Sequence, residues 1–562
     1  MTTPSVLRRS LAADLVVGSN LRGEVSGGGW LYALPRLSFR SIRCIGAPAD
    51  ATMATLARAA AEVVVVEPAA RRRRALQAMT ERAGWDAVRV VEPDGEGPGS
   101  PDLLVAADGR MTADRTGRVA RALGGLGPDG SAFLEGSALK DPAVRRVVDA
   151  RGHRTLAIAP GRGEVRSALP PDDMVMRATM RRLGLEGTAT LFGHPWLAGP
   201  ERRIRRALPL GRRPSDRTAI VIGGEGSGFA GPPAYIRDVA GIAGRDLADW
   251  RWGVAARGDY DSQKVLVLLA PPGAAEPTGL VKVTRSSNHA DRLENEGSIL
   301  EHLATLPVAR GRAPEPWFLG HHAGRALLGE SMADGVPFAD RARWSPDCPQ
   351  LDDALGWLTE LGAATTAPVP AAAVSRALLT LLDRYVAIHP VPPPEAHVLR
   401  ERFASLAAIG ESIPTVLQHG DPGIWNLLVD GDGRTVFLDW EAGESDGLPL
   451  WDLLYFFRSY AVATSRRAGV RDRLEAASRH LLASSPLGAR FGVAVETYRR
   501  RVGVPAAAIE PLVYGCWVHR ALKEATRLTP ARVAEGQYAR LIQRMVATPP
   551  AAFLPRSSEA PG

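Results

Sequence analysis

Asp421, Asn426 and Asp439 have the residue types and spacing to move a phosphoryl group. A strand-like run, Val416-Leu417-Gln418, delivers His419-Gly420-Asp421. The amide of Asn426 follows five positions after the acid, and a second apolar run, Val436-Phe437-Leu438, ends in Asp439-Trp440-Glu441. Transfer from Mg-ATP to a hydroxyl needs one carboxylate to accept the proton of the attacking oxygen. It also needs an amide and a second carboxylate to hold the metal ions that neutralise the moving phosphate. Asp421 suits the first task, Asn426 and Asp439 the second. The turn Asp430-Gly431-Asp432-Gly433 folds the two runs into a hairpin, which brings Asn426 and Asp439 to one end of it. His-Gly-Asp alone is common by chance; the whole set is not.

These residues resemble the aminoglycoside phosphotransferase and choline kinase families, which share the protein-kinase-like fold. In those families H-G-D-x-x-x-x-N replaces the His-Arg-Asp segment of protein kinases, and D-W-E stands in place of Asp-Phe-Gly. Pro449-Leu450-Trp451-Asp452-Leu453 matches their downstream Pro-x-x-Asp-Leu, whose Asp braces the catalytic segment. The resemblance implies an α+β bilobal domain using ATP and Mg, with a strand-rich small lobe ahead of the motif and a helical large lobe around it. Strand-like segments at 250–255, 264–269 and 279–284 come in small-lobe order after a helix at 234–243. Lys282, set among apolar residues of the third segment, is then the lysine that grips the α- and β-phosphates, with a Glu of the next helix as partner. Apolar positions 293, 299, 300 and 303 form a helical stripe, and Glu296 shares its period. Glu296 is therefore the expected partner, and Glu294, two positions off, the runner-up. Backbone amides near Gly258 and Ser262 should cover the phosphates. The run 325–332 fits the strand and hinge, with backbone groups of Glu330 and Met332 meeting adenine.

The N-terminal half follows another rhythm. Between about 38 and 160, short β-branched runs at 41–45, 63–66, 87–91, 102–106 and 131–135 alternate with helix-like stretches. That pattern specifies an α/β fold with a parallel, doubly wound, Rossmann-like sheet. Gly46 after the first strand and Glu67 at the end of the second stand where a nucleotide site wants a tight turn and a ribose-binding acid. This half resembles the class I S-adenosylmethionine-dependent methyltransferase fold, including the turn Leu126-Gly127-Pro128-Asp129-Gly130. That family's first loop is approximately G-x-G-x-G. Here it reads Gly46-Ala47-Pro48-Ala49-Asp50, with two glycines missing and a proline that fixes φ and removes a donor. A sheet that scaffolds or docks is preferred to a working S-adenosylmethionine site, for which Gly46 and Glu67 would be the residues.

A chain of 562 residues is too long for one core. The expected parts are a methyltransferase-like domain at 1–210, irregular from 156, and a Gly/Pro-rich linker at 211–233. A small lobe at 234–335 and a helical large lobe at 336–562 follow, with helices at 352–365, 373–387 and 395–409. The glycine-rich stretch 222–228 lacks the Gly-Lys-Ser/Thr of a phosphate loop and reads as connector. His194-Pro195-Trp196-Leu197 reads as packing before surface anchor. Cys44, Cys348 and Cys516 lie far apart without CxxC spacing, which argues against disulfides or zinc and suits the cytoplasm. Residues 1–20 lack a signal-peptide core, and no run approaches the roughly 18–20 apolar residues of a membrane span.

Net charge is +8. Arg71–Arg74 has no interleaved aromatics, so it reads as a solvated helix face and argues against nucleic-acid binding. From 451 to 562 there are 17 Lys and Arg against 8 Asp and Glu. That surplus argues against a polycationic acceptor and suits a neutral or anionic hydroxyl compound. Glu441, Glu444 and Asp446 nevertheless follow the metal acid closely enough to meet an amine. The sequence thus reads as a cytoplasmic ATP- and Mg-dependent O-phosphotransferase acting on a small-molecule hydroxyl. One rival is a bifunctional enzyme with an active methyltransferase half. The other is a non-catalytic kinase-like scaffold, against which the intact set of acids and lysine speaks.

Overall fold

The computed structural model describes residues 17, 26–95, 99–106, 112–134, 138, 141–150, 154–158, 167–170, 173–183, 185, 218–223, 231–256, 258, 260–482 and 485–548. They divide into two compact units, one built from 24–294 with 316–332, the other mainly from 295–315 and 333–562.

Val63 to Val66 are four β-branched residues in a row, all buried. A run of this kind fits only a strand covered on both faces, as in a parallel sheet. In the first unit β1 (Phe39–Ile45), β2 (Ala60–Val66), β3 (Val88–Val91), β4 (Leu103–Ala106) and β5 (Ser131–Leu134) pair in parallel, in the order β3-β2-β1-β4-β5. The helices α1 (Asp50–Ala59), α2 (Ala70–Ala83), α3 (Ala113–Gly124) and α4 (Pro142–Asp149) alternate with them. The doubly wound α/β expectation holds.

The sheet does not stop there. β6 (Arg154–Ile158), β7 (Ser167–Leu169) and β8 (Thr218–Gly223) extend it, with β8 antiparallel between β5 and β6. β7 pairs with β6 and with β9 (Arg251–Ala255), and through β9 the ladder continues into β10 (Val265–Ala270), β11 (Gly279–Val283), β13 (Arg325–Ser331) and β12 (Pro316–His322). Thirteen strands form one sheet. This corrects the linker expected at 211–233: the run Ala219-Ile220-Val221-Ile222 is strand, and its β-branched residues outweigh the glycines and prolines around it. Residues 194–197 and 224–230 lie outside those described.

Helices α5 (Met174–Arg182) and α6 (Ala234–Ile242) also belong to this unit. Met176 and Met180 of α5 pack on Ala255, Leu268 and Ala270. A buried turn of 3-10 helix at Gly29–Ala33 ties the two halves of the sheet together. Trp30 stacks on Phe133 of β5 with ring centroids 4.0 Å apart, while the Tyr32 carbonyl accepts the Tyr235 hydroxyl of α6 at 3.0 Å.

Helix α7 (Ala290–Ala304) contributes its residues from 295 onward to the second unit. That unit gathers α8 (Pro349–Ala364), α9 (Ala371–Ile388), α10 (Pro393–Ser405), α11 (Trp451–Arg467), α12 (Arg473–Leu481), α13 (Pro486–Val502), α14 (Ile509–Ala525) and α15 (Gln537–Ala547) around two small sheets. One contains β14 (Val336–Pro337), β17 (Leu427–Val429) and β18 (Thr435–Phe437); the other contains β15 (Ala367–Pro370), β16 (Ser412–Gln418) and β19 (Glu444–Gly447). The predicted hairpin is β17–β18, closed by Gly433 at φ +84°. Its base is braced by Asp353, whose carboxylate accepts the Thr435 N–H at 2.7 Å and takes two bonds from Arg312. The three cysteines are free and buried, and no described helix is long and apolar enough to cross a membrane.

Candidate active site

β16 carries the chain into His419, which is fully buried. The His419 Nδ1 accepts the Asp421 N–H at 3.2 Å, so the ring proton belongs to Nε2, which donates to the Leu438 carbonyl at 2.8 Å. The ring also lies 4.4 Å from that of Trp440. One imidazole therefore joins the loop of Asp421 to the strand end of Asp439. Gly420 has φ +76°, and a Cβ there would lie 2.0 Å from the Ala442 carbonyl oxygen, so no other residue fits.

Asn426 donates its amide N–H to the Asp421 carbonyl at 2.9 Å, which leaves the amide oxygen for a metal. The Leu438 N–H donates to the Asn426 carbonyl at 2.8 Å, so Asn426 and Asp439 sit at one end of the hairpin, as predicted. Asp439 has φ +65° and ψ +65°, a left-handed conformation that is strained for a non-glycine residue and recurs at functional positions.

Asp452, in the first turn of α11, is the brace that the sequence suggested. Its carboxylate accepts the His419 N–H at 2.5 Å and the Gly420 N–H at 3.0 Å. Burial pushes this carboxyl upward, against His419 and the two N–H bonds. Asp452→Ala is expected to orphan both buried donors, at roughly 1–3 kcal/mol each. Urea titration should show the loss of stability, and a neutral Asp452→Asn, which keeps an acceptor, should recover part of it.

Glu296 is fully buried, and its carboxylate accepts the Trp440 N–H at 3.2 Å. The neighbouring Asn295 donates to the carbonyls of Glu441 and Gly443 at 3.0 and 2.9 Å. The middle of α7 thus holds the Asp-Trp-Glu segment. In the first unit, Lys282 on β11 forms a buried ion pair at 2.8 Å with Glu330 on β13. This adds to the sequence expectation: Glu330, assigned a backbone role, presents its carboxylate to the lysine. Glu294 pairs instead with His321 in a half-exposed contact.

The Met332 N–H, expected to meet adenine, donates to the Thr278 carbonyl at 2.9 Å, which corrects that assignment for the donor. Gly258 has φ +88° and lies against the side chain of Gln263, whose Oε1 also accepts the Tyr260 N–H at 3.1 Å. Ser262 is half-buried beside it. Arg257 and Asp259 of the same loop lie outside the described residues.

Gly46 closes β1 at the point where the strand order reverses between β1 and β4, the usual ligand crevice of such sheets. Its φ is +86°, as a tight turn requires. The Arg115 guanidinium covers it: Nη2 donates to the Ile45 carbonyl at 3.1 Å, and a Cβ on Gly46 would come within 2.8 Å of that nitrogen. Glu67 is buried, with its carboxylate accepting the Ala69 N–H at 3.0 Å.

The sequence reading missed Arg520. From α14, Arg520 donates to the Gly420 carbonyl at 2.7 Å, lies 3.5 Å from the Asp421 carboxylate and covers the Tyr455 ring at 3.5 Å. The charge surplus after residue 451 was its only signal. A cavity of about 340 Å³ lined by Arg341, Arg343, Gln350 and Asp432 does not include the acids of the site.

Residues 253–487 match the sequence model of the phosphotransferase enzyme family. The chain is also similar to the aminoglycoside phosphotransferase APH(3'')-Id from Streptomyces rimosus, at 18% identity over 52% of this chain and 96% of that one, with a TM-score of 0.28. The N-terminal half has a likeness to a Pseudomonas syringae protein described as a methyltransferase, at 25% identity over 22% of this chain and 83% of that one, TM-score 0.19. A third likeness, to WbdD, spans 87% of this chain and 89% of that one at 12% identity, TM-score 0.23. No curated protein sequence matches the chain.

Proposed function

We propose that the chain transfers the γ-phosphoryl group of Mg-ATP to the hydroxyl of a small molecule. The observation that carries this reading is the His419 bridge, which fixes Asp421 and the Asp439 strand end in one frame. Asp421 takes the proton of the acceptor oxygen, and Arg520 positions its carboxylate. Lys282, held by Glu330, orients the phosphates. Asn426 and Asp439 offer hard oxygen donors at one end of the hairpin. Among the described residues no cluster of three or more His, Cys, Asp and Glu could hold a metal by itself. Such a pair fits Mg, which usually takes one or two protein oxygens and completes its shell with phosphate and water. When bound, Mg would neutralise phosphate charge. Incubating the chain with Mg-ATP and a panel of alcohols, and reading acceptor mass gain, tests the proposal; nucleotide binding without ATP consumption would favour the scaffold.

For the N-terminal half we propose a scaffolding role. Arg115 over Gly46, and Glu67 turned back on its own helix start, support it. Calorimetric titration of the full chain with S-adenosylmethionine is expected to give no heat of binding. Micromolar affinity that falls in Glu67→Ala would promote the bifunctional reading instead.

A further inference from the structure

The groups beside Asp421 on α14 are cations. Arg520 is already engaged with Gly420, Asp421 and the Tyr455 ring. Lys523, three residues on, shares its helix face. The charges within its reach are Arg520, Glu444, Asp421 and Arg527. No described residue forms a hydrogen bond or ion pair with the Lys523 ammonium. Burial first, and then Arg520, bring its pKa down to about 8, as befits a cation short of compensating charge. Glu444, which the sequence offered to an amine, has this lysine for a charged neighbour.

Resting on the phosphotransferase reading, we propose that the acceptor is an anionic alcohol, a phosphomonoester or a carboxylate, whose charged group binds Lys523 while its hydroxyl meets Asp421. An oxyanion at Lys523 supplies the charge that the site lacks, and one turn of helix separates its anchor from the residue that positions the base. A cationic acceptor would meet two like charges.

The test has a binding arm and a turnover arm. The full chain, saturated with Mg-ADP, is titrated with inorganic phosphate and with malonate. Both should bind, and Lys523→Gln should weaken them by about ten- to a hundredfold, the worth of one hydrogen bond to a charged group. Lys523 is charged below about pH 8 and neutral above it. Malonate affinity of the wild type should therefore fall as pH rises through that value, and Lys523→Arg should abolish the fall. In the turnover arm, glucose is compared with glucose 6-phosphate and glucuronate. The charged members are expected to be preferred about tenfold or more, and which of the two wins distinguishes phosphate from carboxylate. An enzyme that consumes ATP but binds neither anion, or in which Lys523→Gln raises KM for ATP and not for the acceptor, overturns the anion site alone. Lys523-dependent anion binding in a chain that never consumes ATP overturns the phosphotransferase reading and the acceptor assignment with it.

Discussion

Asp421→Asn loses transfer to the acceptor by about 10²–10⁴-fold, the usual contribution of a general base, while Mg-ADP still binds. The substitution keeps the shape and the backbone carbonyl that Asn426 holds, so the loop stays in place. Only the proton acceptor is gone, and Arg520 loses one of its contacts. A coupled assay reads the rate, and calorimetry with Mg-ADP reads the nucleotide site. Near-normal turnover would remove Asp421 from its role.

Asp439→Ala moves the opposite quantity. Partners that merely support a metal ligand are worth about 10–100-fold in metal affinity, so deleting a direct ligand should exceed that range. Nucleotide binding should then lose its dependence on Mg, whereas metal-free binding should change little. The alanine also occupies a left-handed backbone position that suits no β-carbon, so the local strain remains. Unchanged Mg-ADP affinity would place the metal elsewhere.

The loop proposed to be catalytic was legible because its residues are local: Asp421, Asn426 and Asp439 lie within a hairpin's length, and the hairpin announces itself by its turn. β9, β10, β11 and β13 were legible by their apolar runs. Three features were not. β8 hides among glycines and prolines, whose local signal opposes the pairing that β5 and β6 supply. The Lys282–Glu330 pair is a diagonal cross-strand contact between positions 48 apart, so no periodicity announces it. Arg520 and Lys523 sit on a helix buried along most of its length, whose pattern does not tell which side meets a site. Charge excess hinted at them, but named neither.

The ladder from β3 to β12 has a consequence for how this protein could be cut or recombined. Truncation at residue 212 would strip β8 from between β5 and β6, and would leave β7 facing the missing β9. The seam is made of main-chain hydrogen bonds, so a transplanted front half must reproduce strand register and twist as well as surface shape. The stretch that looks degenerate as a cofactor site is thereby a structural part of the beam that also carries β11 and Lys282, the lysine proposed to orient the phosphates.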